Sequence, residues 1–124
     1  MVTFEIDDKE YELKLTFESV KYLNKIYGAD EGGALALVLH AVQGDIELFP
    51  HIVYAGLFHT GKNFSYKTIE KAIERAFEEE KIDLDYVIKT SNKVVTDSFF
   101  YRATAKKLLG DNEETERALK QLTE

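Results

Sequence analysis

Val2-Thr3-Phe4-Glu5-Ile6-Asp7-Asp8-Lys9-Glu10-Tyr11-Glu12-Leu13-Lys14-Leu15-Thr16 runs without a break into Phe17-Glu18-Ser19-Val20-Lys21-Tyr22-Leu23-Asn24-Lys25-Ile26-Tyr27-Gly28. The first stretch has period two. Val2, Phe4 and Ile6 point one way, as do Tyr11, Leu13 and Leu15, while Glu5, Glu10, Glu12 and Lys14 point the other. Such alternation on both sides of a polar Asp7-Asp8-Lys9 reads as a β-hairpin with one buried face. The turn lacks the glycine that a tight primed turn prefers, although aspartate tolerates positive φ. Two strands alone are marginal in water, so the apolar face must lie on something larger.

At Thr16 the period changes from two to 3.6. Thr16 is an N-cap, Glu18 lies in the first turn, and Phe17, Val20, Leu23 and Tyr27 follow at helical spacing until Gly28. Asp30 is in position to cap a second helix through Gln43, with Leu35, Leu39 and Val42 on one side and Leu37 and Val38 widening the stripe. Gly44-Asp45 ends it. Ile46–Phe49 is a short turn into a helix over Pro50–His59, since proline suits a first helical turn. After a loop at 60–64, Ser65 caps an amphipathic helix with the stripe Ile69, Ala72, Ile73, Ala76 and Phe77, closed by the solvated Glu78-Glu79-Glu80. Asp83 caps the last long helix, expected over 84–109, with Val87, Ile88, Val94, Val95, Ser98, Phe99 and Ala103 on a broad face.

The expected fold is therefore α+β and mainly α: an N-terminal hairpin (2–16) packed on a bundle of about five helices. Residues 2–109 form one domain, and 110–124 a polar C-terminal tail or short helix carrying Ala118, Leu119 and Leu122. The length of 124 residues suits a single domain, and fifteen aromatics, eight Phe and seven Tyr, supply its core.

Composition narrows the function classes. There are 23 acidic residues against 16 Lys and Arg, a net charge of −7. That balance argues against a protein built to grip phosphates, and Lys62, Lys67, Lys71, Arg102, Lys106 and Lys107 are interspersed with acids. Cysteine is absent, which excludes disulfides, thiolate metal sites and cysteine nucleophiles. No basic n-region opens the chain and no stretch approaches the ~18 apolar residues of a membrane span. A soluble protein of the cytoplasm is expected, with no nucleic-acid and no membrane partner.

Chemistry-bearing patterns are few. Gly56 to Asn63 matches phosphate-loop spacing except that Asn63 stands where a magnesium-binding hydroxyl is needed. The segment ends a helix instead of joining a strand to a helix, so Gly61 is read as a C-cap. His51 and His59 lie eight residues apart, too far to share a metal without a third element, and with His40 included no HExxH or His-x-x-x-His pair exists. Asp83-Leu84-Asp85 lacks the glycine and distal glutamate of a calcium loop. No nucleophile elbow and no Ser–His–Asp set is present. The expectation is a binding protein that is not an enzyme and uses no cofactor. Phe99-Phe100-Tyr101 places three aromatics in a row on a helix whose residues point about 100° apart. Phe99 fits the buried face, so Phe100 and Tyr101 are expected to be exposed and to form the partner-binding site.

The order of segments resembles the tail assembly chaperones of long-tailed phages and prophages of Gram-positive bacteria. The resemblance rests on Phe4-Glu5-Ile6-Asp7 with Lys9–Leu15, on Leu23-Asn24-Lys25-Ile26-Tyr27-Gly28, on Gly44-Asp45 with Ile52–Leu57, and on Ile69–Glu74 with Ile82-Asp83. It spans roughly 2–109; Asp8 replaces the usual turn glycine. It implies a helper made in the infected host cell and absent from the virion. Such a helper binds the tape measure protein and brings tail tube subunits to it; self-association is left open. The alternative reading is a small acidic helical adaptor for one folded partner.

Overall fold

In the computed structural model, which describes residues 2–26, 33–98 and 101–103, the two period-two runs pair as strands β1 (Val2–Ile6) and β2 (Lys9–Leu13). Their antiparallel register joins Val2 to Leu13, Phe4 to Tyr11 and Ile6 to Lys9. The two-residue turn is made by Asp7 at φ 51° and Asp8 at φ 65°, both left-handed. Consecutive positive φ values are the primed geometry whose twist matches that of the strands. Aspartate pays for this conformation where glycine does not. Asp8→Gly is therefore expected to raise stability by about 0.5–1 kcal/mol, the gain being trimmed by glycine's greater freedom when unfolded. Urea unfolding measures it, and a lowered midpoint would mean that the turn holds no strain.

Five α-helices follow among the described residues: α1 (Phe17–Ile26), α2 (Gly33–Gln43), α3 (Phe49–Gly56), α4 (Tyr66–Glu78) and α5 (Leu84–Thr96), with a 3₁₀ turn at Phe58–Thr60. The fold is α+β, mainly α. Capping residues sit where their chemistry places them. The Thr68 N–H donates to Ser65 Oγ (3.1 Å) and the Tyr86 N–H to Asp83 Oδ1 (2.8 Å). Thr16 and Ser19 cap reciprocally, each backbone N–H donating to the other's hydroxyl at 2.9 and 3.3 Å, as in a capping box with serine at the third position. Gly61, at φ 70°, closes the 3₁₀ turn as a left-handed cap.

Helix α3 is the centre of the molecule. Leu48, just before it, and its Phe49, Ile52, Val53 and Ala55 are wholly buried; each large apolar side chain hidden in this way contributes about 1.5–3 kcal/mol. Phe49 meets Phe4 and Tyr86 edge-on, with ring centroids 6.5 and 6.3 Å apart, which ties the hairpin and α5 to it. Gly56 admits β2: a Cβ there would lie 3.3 Å from the Leu13 Cβ, and the Lys14 N–H donates to the Gly56 carbonyl at 3.0 Å.

Three expectations change. Phe17 is 59% exposed, whereas Leu23 is buried as its spacing predicts and Ser19 is buried beside it. The Ser19 hydroxyl donates to the Ala55 carbonyl at 2.7 Å, and only a small side chain allows that approach. Leu39 is 40% exposed while Leu37, Val38 and Ala41, on the other side of a helix apolar all round, are buried. The last helix does not run to 109. α5 stops at Thr96, capped by Asp97, whose N–H donates to the Lys93 carbonyl. Tyr27, Gly28, Asp30, Phe99 and the proposed tail from Gly110 lie outside the described residues. No helix among those described is long and apolar enough to cross a membrane.

Candidate functional site

On α3, the wholly buried Phe49, Ile52 and Val53 define one face and His51 and Tyr54 lie on the opposite one, which Phe58, at the start of the 3₁₀ turn, extends. The Ser19–Ala55 contact seats α1 so that Tyr22, three residues on, lies against them. The Ser65 cap starts α4 at Tyr66, whose ring arrives from the other side. Three helices and the 3₁₀ turn thus deliver five half-exposed rings to one surface.

Its geometry is a connected set of ring contacts. Tyr22 meets Tyr54 at 5.2 Å and Phe58 at 5.6 Å, both edge-on. Tyr54 meets Phe58 at 5.1 Å and Tyr66 at 5.6 Å in the same manner. His51 stacks on Tyr66 at 4.6 Å with 15° between the planes. Each such contact adds about 0.5–1.5 kcal/mol beyond burial. Tyr11 and Phe64 pair alongside at 5.3 Å.

His51 lies between two phenols, with the Tyr22 hydroxyl 2.7 Å from Nδ1 and the Tyr66 hydroxyl 3.4 Å from Nε2. A neutral imidazole has one donor and one acceptor, so one phenol gives and the other receives. Burial holds His51 below the usual imidazole range, with Glu70 opposing. Burial also pushes Tyr22 up to about 12, helped by Tyr66 and Tyr54, and raises Tyr66, helped by Glu70. The lowered His51 and the raised Tyr22 and Tyr66 all shift toward their neutral forms. The five rings offer apolar faces with polar tips, a chemistry suited to docking a partly apolar protein surface.

The other histidines are engaged elsewhere. His40 Nδ1 is 2.7 Å from Asp45 Oδ2, and His59 Nε2 hydrogen-bonds the Glu12 carbonyl at 2.8 Å. Among the described residues no group of three or more His, Asp or Glu is placed to hold a metal ion.

The expected exposure of Tyr101 needs correction. Tyr101 is 1% exposed, not on the surface, and burial pushes its phenol up to about 12. The turn at Asp97–Ser98 breaks the helical phase on which its exposure was reckoned. Phe100 lies outside the described residues. The aromatic surface had one sequence signal, the spacing of His51, Tyr54 and Phe58 on a single helix. Nothing local announces that Tyr22 and Tyr66 join them.

A family model described as phage tail assembly chaperone protein, TAC, matches residues 3–109 of the chain. No curated protein and no solved structure matches it.

Proposed function

This chain belongs to the phage tail assembly chaperone family, and from that premise we propose that it binds the tape measure protein through the Tyr22–His51–Tyr54–Phe58–Tyr66 surface. It then recruits tail tube subunits, in the host-cell cytoplasm, and leaves before the virion is complete. Its work is binding, without catalysis or cofactor, and the phage or prophage belongs to a Gram-positive host.

The carrying observation is the aromatic surface on an otherwise acidic protein. A long helical client presents an apolar stripe turn after turn, and aromatic faces cover such a stripe with little loss of side-chain freedom. The net charge of −7 keeps free copies apart in solution. Modest affinity at each position, repeated along the client, holds many copies while letting incoming tube subunits displace them one by one. Phe100 is retained as a secondary contact.

Co-expression with the tape measure protein tests the reading. The client is expected to stay soluble and to co-purify with many copies of this chain. Tyr54→Ala and Tyr66→Ala, verified as folded by circular dichroism, are expected to weaken retention at least tenfold, about 1.4 kcal/mol. Retention unchanged by both substitutions would remove the aromatic surface from the mechanism. An insoluble client with no contact would favour an adaptor for a single folded partner.

A further inference from the structure

The hairpin has two outer edges, and the fold treats them differently. With a two-residue turn, the pairs Ile6–Lys9, Phe4–Tyr11 and Val2–Leu13 exchange the ladder hydrogen bonds. Thr3 and Glu5 therefore direct their backbone groups away from β2. On the β2 side the outer edge is covered at its far end from the turn, since the Glu12 carbonyl pairs with His59 and the Lys14 N–H with Gly56. On the β1 side the Thr3 carbonyl receives only a 3.4 Å contact from the Tyr86 hydroxyl. The Glu5 N–H and carbonyl meet no partner among the described residues.

This edge looks into a cleft of about 650 Å³ whose opposite wall is one face of α4, bearing Lys71, Ala72, Arg75 and Ala76. The half-buried Ala72 and Ile82 make its lining partly apolar. Acids are in excess along the strand wall. Glu5 sits directly across from Glu10 in the register, a like-charged pair that costs stability. Lys81 approaches Glu5 only at 3.8 Å and is shared with Glu79 at 3.3 Å, while Arg75 stands 4.0 Å from Asp7.

We propose that this cleft is a docking site for an extended, lysine- or arginine-bearing segment of a partner polypeptide, which joins β1 as a third strand. A peptide backbone supplies donors and acceptors at the spacing that Thr3 and Glu5 present. Alternate side chains of such a strand face opposite ways. Basic ones lie beside Glu5 and relieve its repulsion with Glu10; small apolar ones lie toward Ala72 and Ile82. A second copy of this chain does not suit the site, because its own β1 edge is acidic and is held inside a hairpin. The site is separate from the aromatic surface and does not depend on it.

The test uses the full isotope-labelled chain and a blocked seven-residue peptide alternating lysine with valine. Amide shifts are expected to concentrate at Thr3, Glu5 and Ala72, with slowed exchange of the Glu5 N–H. A glutamate–valine peptide, or the lysine peptide N-methylated on its edge-facing amides, is expected to bind at least tenfold more weakly. Glu5→Pro removes an N–H that the ladder does not use and should abolish binding, whereas Tyr54→Ala should leave it intact. Absence of binding at millimolar peptide, shifts centred elsewhere, or equal binding by the N-methylated peptide would overturn the proposal. The N-methylated comparison decides the matter even if Glu5→Pro does not fold.

Discussion

Alanine at position 44 is expected to lower the free energy of unfolding by about 3 kcal/mol, the sum of a conformational and a packing cost. Gly44 ends α2 in a Schellman arrangement. The Asp45 N–H donates to the His40 carbonyl at 3.0 Å and the Gly44 N–H to the Ala41 carbonyl at 3.1 Å, with Gly44 at φ 70°. An L-residue in that conformation costs about 1–2 kcal/mol. The added Cβ would also lie 2.3 Å from Ile88 Cγ1 and 3.2 Å from its Cα, so α5 itself must give way. Overpacking of this kind adds about 1–3 kcal/mol. Ile88→Ala removes the Cγ1 atom, so the double variant should recover the packing part and none of the conformational part. Urea unfolding of both singles and the double variant separates them. A Gly44→Ala protein within about 0.5 kcal/mol of the parent would show that the helices do not approach so closely.

The second large effect lies across the same seam. Asn92 is wholly buried, and its Nδ2 donates to the Ile88 carbonyl at 2.7 Å, to Ala41 at 3.2 Å and to Val42 at 3.4 Å. The carbonyls of Ala41 and Val42 belong to the last turn of α2, where intrahelical donors run short, and the Asn92 amide adds to the one bond that Ala41 receives from the Gly44 N–H. One amide thus completes the cap and fastens α5 to it. Asn92→Ala is expected to cost about 2–3 kcal/mol, because buried acceptors lose a partner and a void opens. Asn92→Leu fills the volume but supplies no donor, and it should be destabilised to a similar degree. If leucine matched or exceeded the parent in a urea melt, packing alone would account for the position. Hydrogen exchange at the Gly44 and Asp45 amides should quicken in both variants, since those amides report on the cap.

These two positions also show what was legible in advance. Gly44 could be read as a helix stop because a glycine after an apolar helical run is a local signal. Its closeness to Ile88 could not. Asn92 and Ser19 gave no warning at all, since a polar residue inside a helix ordinarily faces water. The candidate site divides in the same way. The spacing of His51, Tyr54 and Phe58 is visible along the chain, but the burial of Tyr101 depended on where α5 stopped.

By itself, the sequence determined the order of elements, the two period-two runs of the hairpin, the caps at Thr16, Ser65 and Asp83, and the amphipathic stripe of α4. Each arises from interactions within a few residues: alternation in a strand, hydroxyl or carboxylate acceptors at a helix start, and the 3.6-residue period. Only the tertiary structure decided that Phe17 and Leu39 stay outside, the end of α5 at Thr96, and the gathering of Tyr22, His51, Tyr54, Phe58 and Tyr66. A helix with apolar residues on more than one side can bury any of them with similar gain. The choice is then made by what it meets: Ser19 reaching the Ala55 carbonyl, Asn92 capping α2, and Ile88 seated against a glycine.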